Sequence, residues 1–271
     1  MHEIARYQRE LPVSLERMFE NALDWEHLPH LHASSFADLT LLDRDSRRWR
    51  AEVLLQPAAL GLRQTIELTL DAASGVWITR VLAGFCAGMA IHTQARALGE
   101  RRIEVDVRFQ TPRRRPVRAR LYGPVLVGTY RRLYDEDEAM MVERQGALDR
   151  VRASAKARAQ AQRSAEGRAL GSRGAVLDPS FRFERGGVRF RVTELDGALQ
   201  AFSTTCPHLL GPLDDAPVRD GRVRCPWHGY CFDLRTGKDE AHGLRLARAP
   251  RLEEREGAVW AVAARSNRSA L

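Results

Sequence analysis

Ile103-Glu104-Val105-Asp106-Val107-Arg108-Phe109 alternates apolar and polar residues without a break. That is the period-two pattern of a strand with one face in a core and the other in water. Gln64-Thr65-Ile66-Glu67-Leu68-Thr69-Leu70 repeats it. Working outward, further strands are expected at 3–11, 37–42, 49–55, 62–71, 76–83, 89–98 and 102–110. The gaps are short and carry Asp, Ser, Gly and Glu, which suits antiparallel hairpins. Residues 14–27 read as a helix, with Ser14 as N-cap and Leu15, Met18, Phe19, Ala22 and Leu23 at helical spacing. Arg17 stands where a capping box wants Glu or Gln, so the cap is expected without the box. Pro29 should end or bend this helix. A long helix is expected from about 122 to 152, with the stripe Val125, Tyr130, Leu133, Tyr134, Met140 and Met141.

One helix, a meander and a closing helix predict an α+β domain over 1–152, whose curved sheet cups a cavity against its helix. Residues 153–178 are rich in Ala, Arg and Gly and read as a helix end fraying into a linker. From 179 to 271 the texture changes to short strands and glycine turns, an all-β domain with strands expected at 181–193, 199–203, 221–225, 230–234 and 258–263.

The chain has 271 residues, 44% hydrophobic and 29% charged, enough for one large domain or two modest ones with a real core. It holds no run of 18 apolar residues, so an ordinary transmembrane helix is not expected. Met1-His2-Glu3-Ile4 has neither signal-peptide nor transit-peptide character. Four cysteines are too few to staple such a chain, and a reducing cytoplasm is the expected compartment, with no membrane. The net charge of +8 is concentrated: residues 151–178 carry 6 basic and 2 acidic side chains, half the excess. Lys156 and Lys238 are the only lysines among 43 basic residues, a bias of composition. A nucleic-acid partner is not expected, since no basic face interleaved with aromatics and no reading element is seen.

The strongest chemical signal is Cys206-Pro207-His208, followed after 16 residues by Cys225-Pro226-Trp227-His228. Two thiolates and two imidazoles suit a zinc ion. They equally suit a two-iron, two-sulfide cluster, with both cysteines on one iron and both histidines on the other. Together with Leu209, Gly229-Tyr230, Phe232-Asp233-Leu234 and Thr236-Gly237, these residues resemble the Rieske iron–sulfur family over about 180–263. The resemblance implies a [2Fe-2S] cluster held by Cys206, His208, Cys225 and His228. High-potential members add a disulfide across the two loops. Here Leu210-Gly211 and Trp227 stand in its place and Cys231 has no mate. That implies the lower-potential type that works with ferredoxins and oxygenases.

Residues 21–32 read Asn-Ala-Leu-Asp-Trp-Glu-His-Leu-Pro-His-Leu-His. Asn21, Asp24 and His27 are three apart and share a helix face. His32 lies five beyond His27, across Pro29. Histidines also suit a helix C-terminus through the dipole alone. The spacing N-x2-D-x2-H-x4-H, in a chain with a Rieske-like segment, resembles the mononuclear iron motif of Rieske-type aromatic-ring hydroxylating oxygenases. The resemblance implies Fe(II) held by His27 and His32. It makes Asp24 a bridge from a ligand histidine to His208 or His228 of a neighbouring subunit, and places Asn21 just outside the ligands. His30 is left as a surface residue or a rival ligand. A two-histidine, one-carboxylate set leaves positions open for dioxygen and substrate. The carboxylate is sought on the long helix, where Asp137 shares the stripe of Tyr130, Tyr134 and Met141. Asp135, Glu136 and Glu138 are the alternatives.

The resemblance implies an oxygenase that hydroxylates or oxidatively demethylates a small organic molecule with dioxygen. A ferredoxin or flavin reductase would supply the electrons, and the assembly would be a homo-oligomer, a trimer among the options. Family members place the Rieske domain first, whereas this chain places it last. The short N-terminal part also resembles the helix-grip family of hydrophobe-binding cavities. The alternative is therefore a non-catalytic hydrophobe-binding domain fused to an electron-transfer domain.

Overall fold

The computed structural model describes residues 1–112, 116–158 and 167–262. The chain divides into two compact units, Met1–Gln145 and Gly146–Leu271.

The first unit contains β1 (His2–Leu11), α1 (Leu15–Leu23), a 3-10 turn (Trp25–His27), α2 (Leu28–Leu31) and β2 (Phe36–Arg44). These are followed by β3 (Arg48–Leu55), β4 (Arg63–Asp71), β5 (Val76–Gly84), β6 (Ala90–Gly99), β7 (Arg102–Thr111) and the long α3 (Pro116–Arg158), which runs past the unit division. The sheet has seven antiparallel strands in the order β1-β7-β6-β5-β4-β3-β2. Alternation decides its faces: Ile103, Val105, Val107 and Phe109 are wholly buried while Arg108 between them is exposed. Register shifts in β1, β2, β5 and β6 add local twist, which bends the sheet. Tyr130, Tyr134 and Met141 of α3 pack into the same core as Tyr7, Trp49, Leu68 and Phe109. This is the helix-grip arrangement of sheet and closing helix.

The second unit contains β8 (Arg168–Gly171), α4 (Arg173–Val176), β9 (Phe183–Arg185), β10 (Val188–Leu195) and β11 (Ala198–Ser203). Then come β12 (Val218–Arg219), β13 (Arg222–Arg224), β14 (Cys231–Asp233), β15 (Arg251–Arg255) and β16 (Ala258–Val262). They form three small sheets: β11-β10-β9, β12-β13-β14 and β15-β16-β8. Val176, Phe183, Phe190, Val192, Ala201, Val259 and Ala261 make its core. No helix among the described residues is long and apolar enough to cross a membrane.

Several elements depart from expectation. The helix expected over 14–27 ends at Leu23, because Asp24 leaves the helical conformation (ψ 82°) while its N–H still closes on Glu20 and Asn21. Pro29 does not end it; it sits at the start of α2, where a missing N–H costs nothing. Val125 is 64% exposed, and Leu126 and Val127 pack on the core in its place. They lie four and three residues before Tyr130, on its face, whereas five residues is well off it. Residues 168–171, expected in the linker, form β8 on the edge of β16. Residues 159–166 of that linker, and residue 263 of the last expected strand, lie outside the described residues. The single strand expected at 181–193 is a hairpin. Gly186 and Gly187 (φ 60° and 73°) turn it, and two successive positive φ values are what a tight two-residue hairpin needs.

Candidate metal centres

The first centre begins where α1 stops. Ser14 caps the helix by accepting from Arg17 N–H, and Trp49 Nε1 of β3 donates to the Ala22 carbonyl at the far end, 3.0 Å away. That bond satisfies a carbonyl the helix itself leaves open and ties its C-terminus to the sheet. The chain then bends through the 3-10 turn and α2. The bend brings the His27 and His32 rings to 5.0 Å between centroids, nearly perpendicular at 76°.

Polar contacts set the rotation of α3. Arg9 of β1 grips Asp135 and Glu138, and Arg144 donates to Glu20 of α1 at 2.9 Å. Asp135 and Glu138 are thus held outside, and Asp137 faces in. Asp137 Oδ1 lies 3.0 Å from His32 Nε2 and 3.5 Å from His27 Nε2. Asn21 Nδ2 donates to the same oxygen at 3.0 Å. One ligand atom from each of His27, His32 and Asp137 falls within 4.8 Å of the others, and all three side chains are buried. His30 is exposed.

Burying four polar side chains in an apolar core is costly unless they are paired. The pairing shows in the electrostatics of Asp137 and His32. Burial favours the neutral Asp137 carboxyl, but the hydrogen bond and charge of His32, the charge of His27 and the Asn21 amide outweigh it and lower its pKa. Burial likewise works to lower the His32 pKa, and Asp137 and Glu136 outweigh it and raise it. Two imidazoles and a carboxylate converge here. A divalent ion fits that donor set.

The triad opens on a cavity of about 120 Å³, walled by Met18, Trp49, Ile66, Leu68 and Trp77 with Tyr130 and Tyr134. Burial raises the pKa of both tyrosines, so their hydroxyls stay protonated. Asp24 also lines the cavity, with Oδ2 3.5 Å from His27 Nδ1. Sequence reasoning treated Glu136 as a ligand alternative. It stands instead behind His32, with Oε2 2.5 Å from Nδ1, on the far side of the ring from Asp137. The adjacency of Glu136 to Asp137 was the available signal.

The second centre lies on two loops. Cys206 N–H donates to the Gly211 carbonyl and Cys225 N–H to that of Tyr230, while Gly229 N–H returns to Cys225. Each loop thereby folds its Cys and His toward each other. His208 and His228 meet edge to face at 4.5 Å, and Tyr230 stacks on His208 at 4.4 Å and 25°. Cys206 and Cys225 are buried, and neither they nor Cys231 and Cys86 are in a disulfide. The Cys225 thiol is pulled down to about 5, chiefly by its hydrogen bond with Cys206, whose own thiol is pushed up. A Cβ at Gly211 would stand 2.9 Å from Cys225 Sγ and from the Trp227 ring. Gly211 is therefore part of the cradle, a role that spacing alone did not reveal. Two adjoining sulfurs and two facing imidazoles fit a cluster ligated by Cys206, Cys225, His208 and His228.

The chain is 48% identical over 42 residues to apoptosis-inducing factor 3 of Mus musculus, 16% of this chain and 7% of that protein's length. Among solved structures, the Zhui aromatase/cyclase from Streptomyces sp. R1128 aligns with 52% of this chain and 93% of its own, at 15% identity and a TM-score of 0.42. The ferredoxin of carbazole 1,9a-dioxygenase from Nocardioides aromaticivorans IC177 aligns with 36% of this chain and 98% of its own, at 22% identity and a TM-score of 0.32. Residues 172–243, which include both Cys–His loops, match the family model of the Rieske [2Fe-2S] domain, and the chain carries that domain after its helix-grip unit.

Proposed function

We propose that the protein is a Rieske-type non-haem iron oxygenase that hydroxylates or oxidatively demethylates a small organic substrate. The observation that carries this reading is the buried His27–His32–Asp137 triad opening on an apolar cavity, in a chain that also bears a Rieske domain. When bound, a ferrous ion at the triad supplies dioxygen activation and the cluster supplies single electrons.

The chain's own residues do the rest. His27 and His32 present Nε2, and Asp137 presents a carboxylate that Asn21 steadies with its amide. The ring and aliphatic walls from Trp49, Trp77, Ile66 and Leu68 exclude water and hold an uncharged molecule. Tyr130 and Tyr134, held protonated by burial, line the same cavity. Asp24 beside His27 is our candidate for the link to a cluster histidine of a neighbouring subunit, which makes a homo-oligomer part of the proposal. A ferredoxin or flavin reductase is the proposed donor, and cysteines in no disulfide suit a reducing cytoplasm.

Iron and acid-labile sulfide per chain test the reading. An oxygenase carries iron at the triad beyond the cluster pair, and His27→Ala loses that extra iron. A non-catalytic hydrophobe-binding unit carries cluster iron alone, and that result overturns the proposal.

A further inference from the structure

The two triad histidines are supported differently. His32 Nδ1 lies 2.5 Å from Glu136 Oε2, and its Nε2 lies 3.0 Å from Asp137 Oδ1. His32 is 1% exposed, and its ring is held between two consecutive residues of α3. His27 has no such anchor: its Nδ1 has no hydrogen-bond partner, and Asp24 Oδ2 stands 3.5 Å away.

We propose that Glu136 is the positioning residue of the triad, the carboxylate that fixes His32 as the rigid metal ligand while His27 remains the adjustable one. The inference rests on the metal-site reading above. An imidazole has one proton to place when neutral. Donating Nδ1–H to Glu136 leaves the Nε2 lone pair facing Asp137 and the ion, and the adjoining negative charge makes that lone pair a better donor. Because Glu136 and Asp137 are neighbours on one helix turn, any rotation of α3 moves the ligand carboxylate and the histidine's support together. Glu136 is 28% exposed at its side chain, so its carboxylate keeps contact with water.

The test uses the full chain with its cluster oxidised and intact, after mild chelation of the triad. Cobalt(II) is titrated in and followed by its high-spin EPR signal, against which the oxidised cluster is silent. Glu136→Gln keeps the shape and removes the charge. It should weaken cobalt binding about 10-fold, and Glu136→Ala toward 100-fold. Asp24→Asn should weaken it less than about threefold, since Asp24 makes the looser contact. The cobalt signal of Glu136→Ala should also broaden as His32 loses its fixed orientation. Cobalt affinity of Glu136→Gln within twofold of the parent overturns the proposal, as does a larger loss in Asp24→Asn than in either Glu136 variant. If the parent and His27→Ala bind cobalt equally, the metal-site reading itself fails, which separates that failure from a failure at Glu136.

Discussion

The triad and the Cys–His loops solve the same problem with opposite materials. The triad is assembled on helix ends and a long helix, from residues 105 positions apart, His32 and Asp137. The Cys–His residues sit on two tight turns, each held by backbone bonds such as Cys206 N–H to Gly211 and Cys225 N–H to Tyr230. The triad depends on tertiary packing: the phase of α3, the bend at Asp24, the clamp of Arg9. The loops depend on local turn geometry, with Gly229 and Leu210 at positive φ. A site of the first kind is placed by the fold; one of the second kind carries much of its geometry within itself.

The sharpest way to break this contrast is to remove one ligand from each. His27→Ala should abolish metal uptake at the triad and leave the cluster absorbance intact. Cys225→Ser should abolish the cluster absorbance and leave cobalt uptake at the triad intact. Metal analysis with visible spectra checks both, and joint loss in either variant would show that the centres are not independently built.

Asp24→Asn should retain both centres yet slow reoxidation of the reduced cluster in a single turnover with substrate and dioxygen, by about 10- to 100-fold. A rate equal to the parent's would remove Asp24 from the electron route.

Gly211→Ala tests the self-contained character of the loops. Its Cβ collides with Cys225 Sγ and the Trp227 ring, and overpacking of this kind costs about 1–3 kcal/mol. The cluster should bleach at lower temperature while the cobalt affinity of the triad is unmoved.

The smallest effect is expected far from both centres. Asp106, on the polar face of the sheet, is held below the usual carboxylate range, first by its hydrogen bond from Arg6 and then by Arg108. A depressed folded pKa contributes stability above the unfolded value, near 3.9, that is lost as pH falls through the folded value. Asp106→Asn should cost about 1 kcal/mol at neutral pH, since both arginines are 45% exposed, and nothing once the carboxyl is protonated in both states. Denaturant melts at pH 7 and pH 3 check the sign.

The seven strands of the first sheet were legible because each presents one apolar face to a core, and a slip of one residue would turn that face outward. The Cys–His loops were legible because ligand and turn are encoded side by side. What escaped was set by distance. The stop at Asp24 comes from a local backbone choice that no periodicity records. β8 has a sequence, Arg168-Ala169-Leu170-Gly171, that becomes a strand through pairing with β16. Glu136 could be seen as a carboxylate near the right place, but its partner His32 is 104 residues away. Gly211 reads as an ordinary turn residue until the Cys225 sulfur is placed against it.

The separation of His32 from Asp137 has a consequence in time. Six strands, β2 to β7, lie between them in the chain, and closing a loop of that length is entropically slow until the intervening hairpins have formed. The triad is complete only once α3 has docked on the sheet. A metal ion that needs all three donors recognises the completed unit and ignores its precursors. Its binding then draws the folding equilibrium forward by mass action, in proportion to the logarithm of free metal over the dissociation constant. Metal supply would thus act on how much of the newly made chain reaches its final form, besides deciding what that form can do.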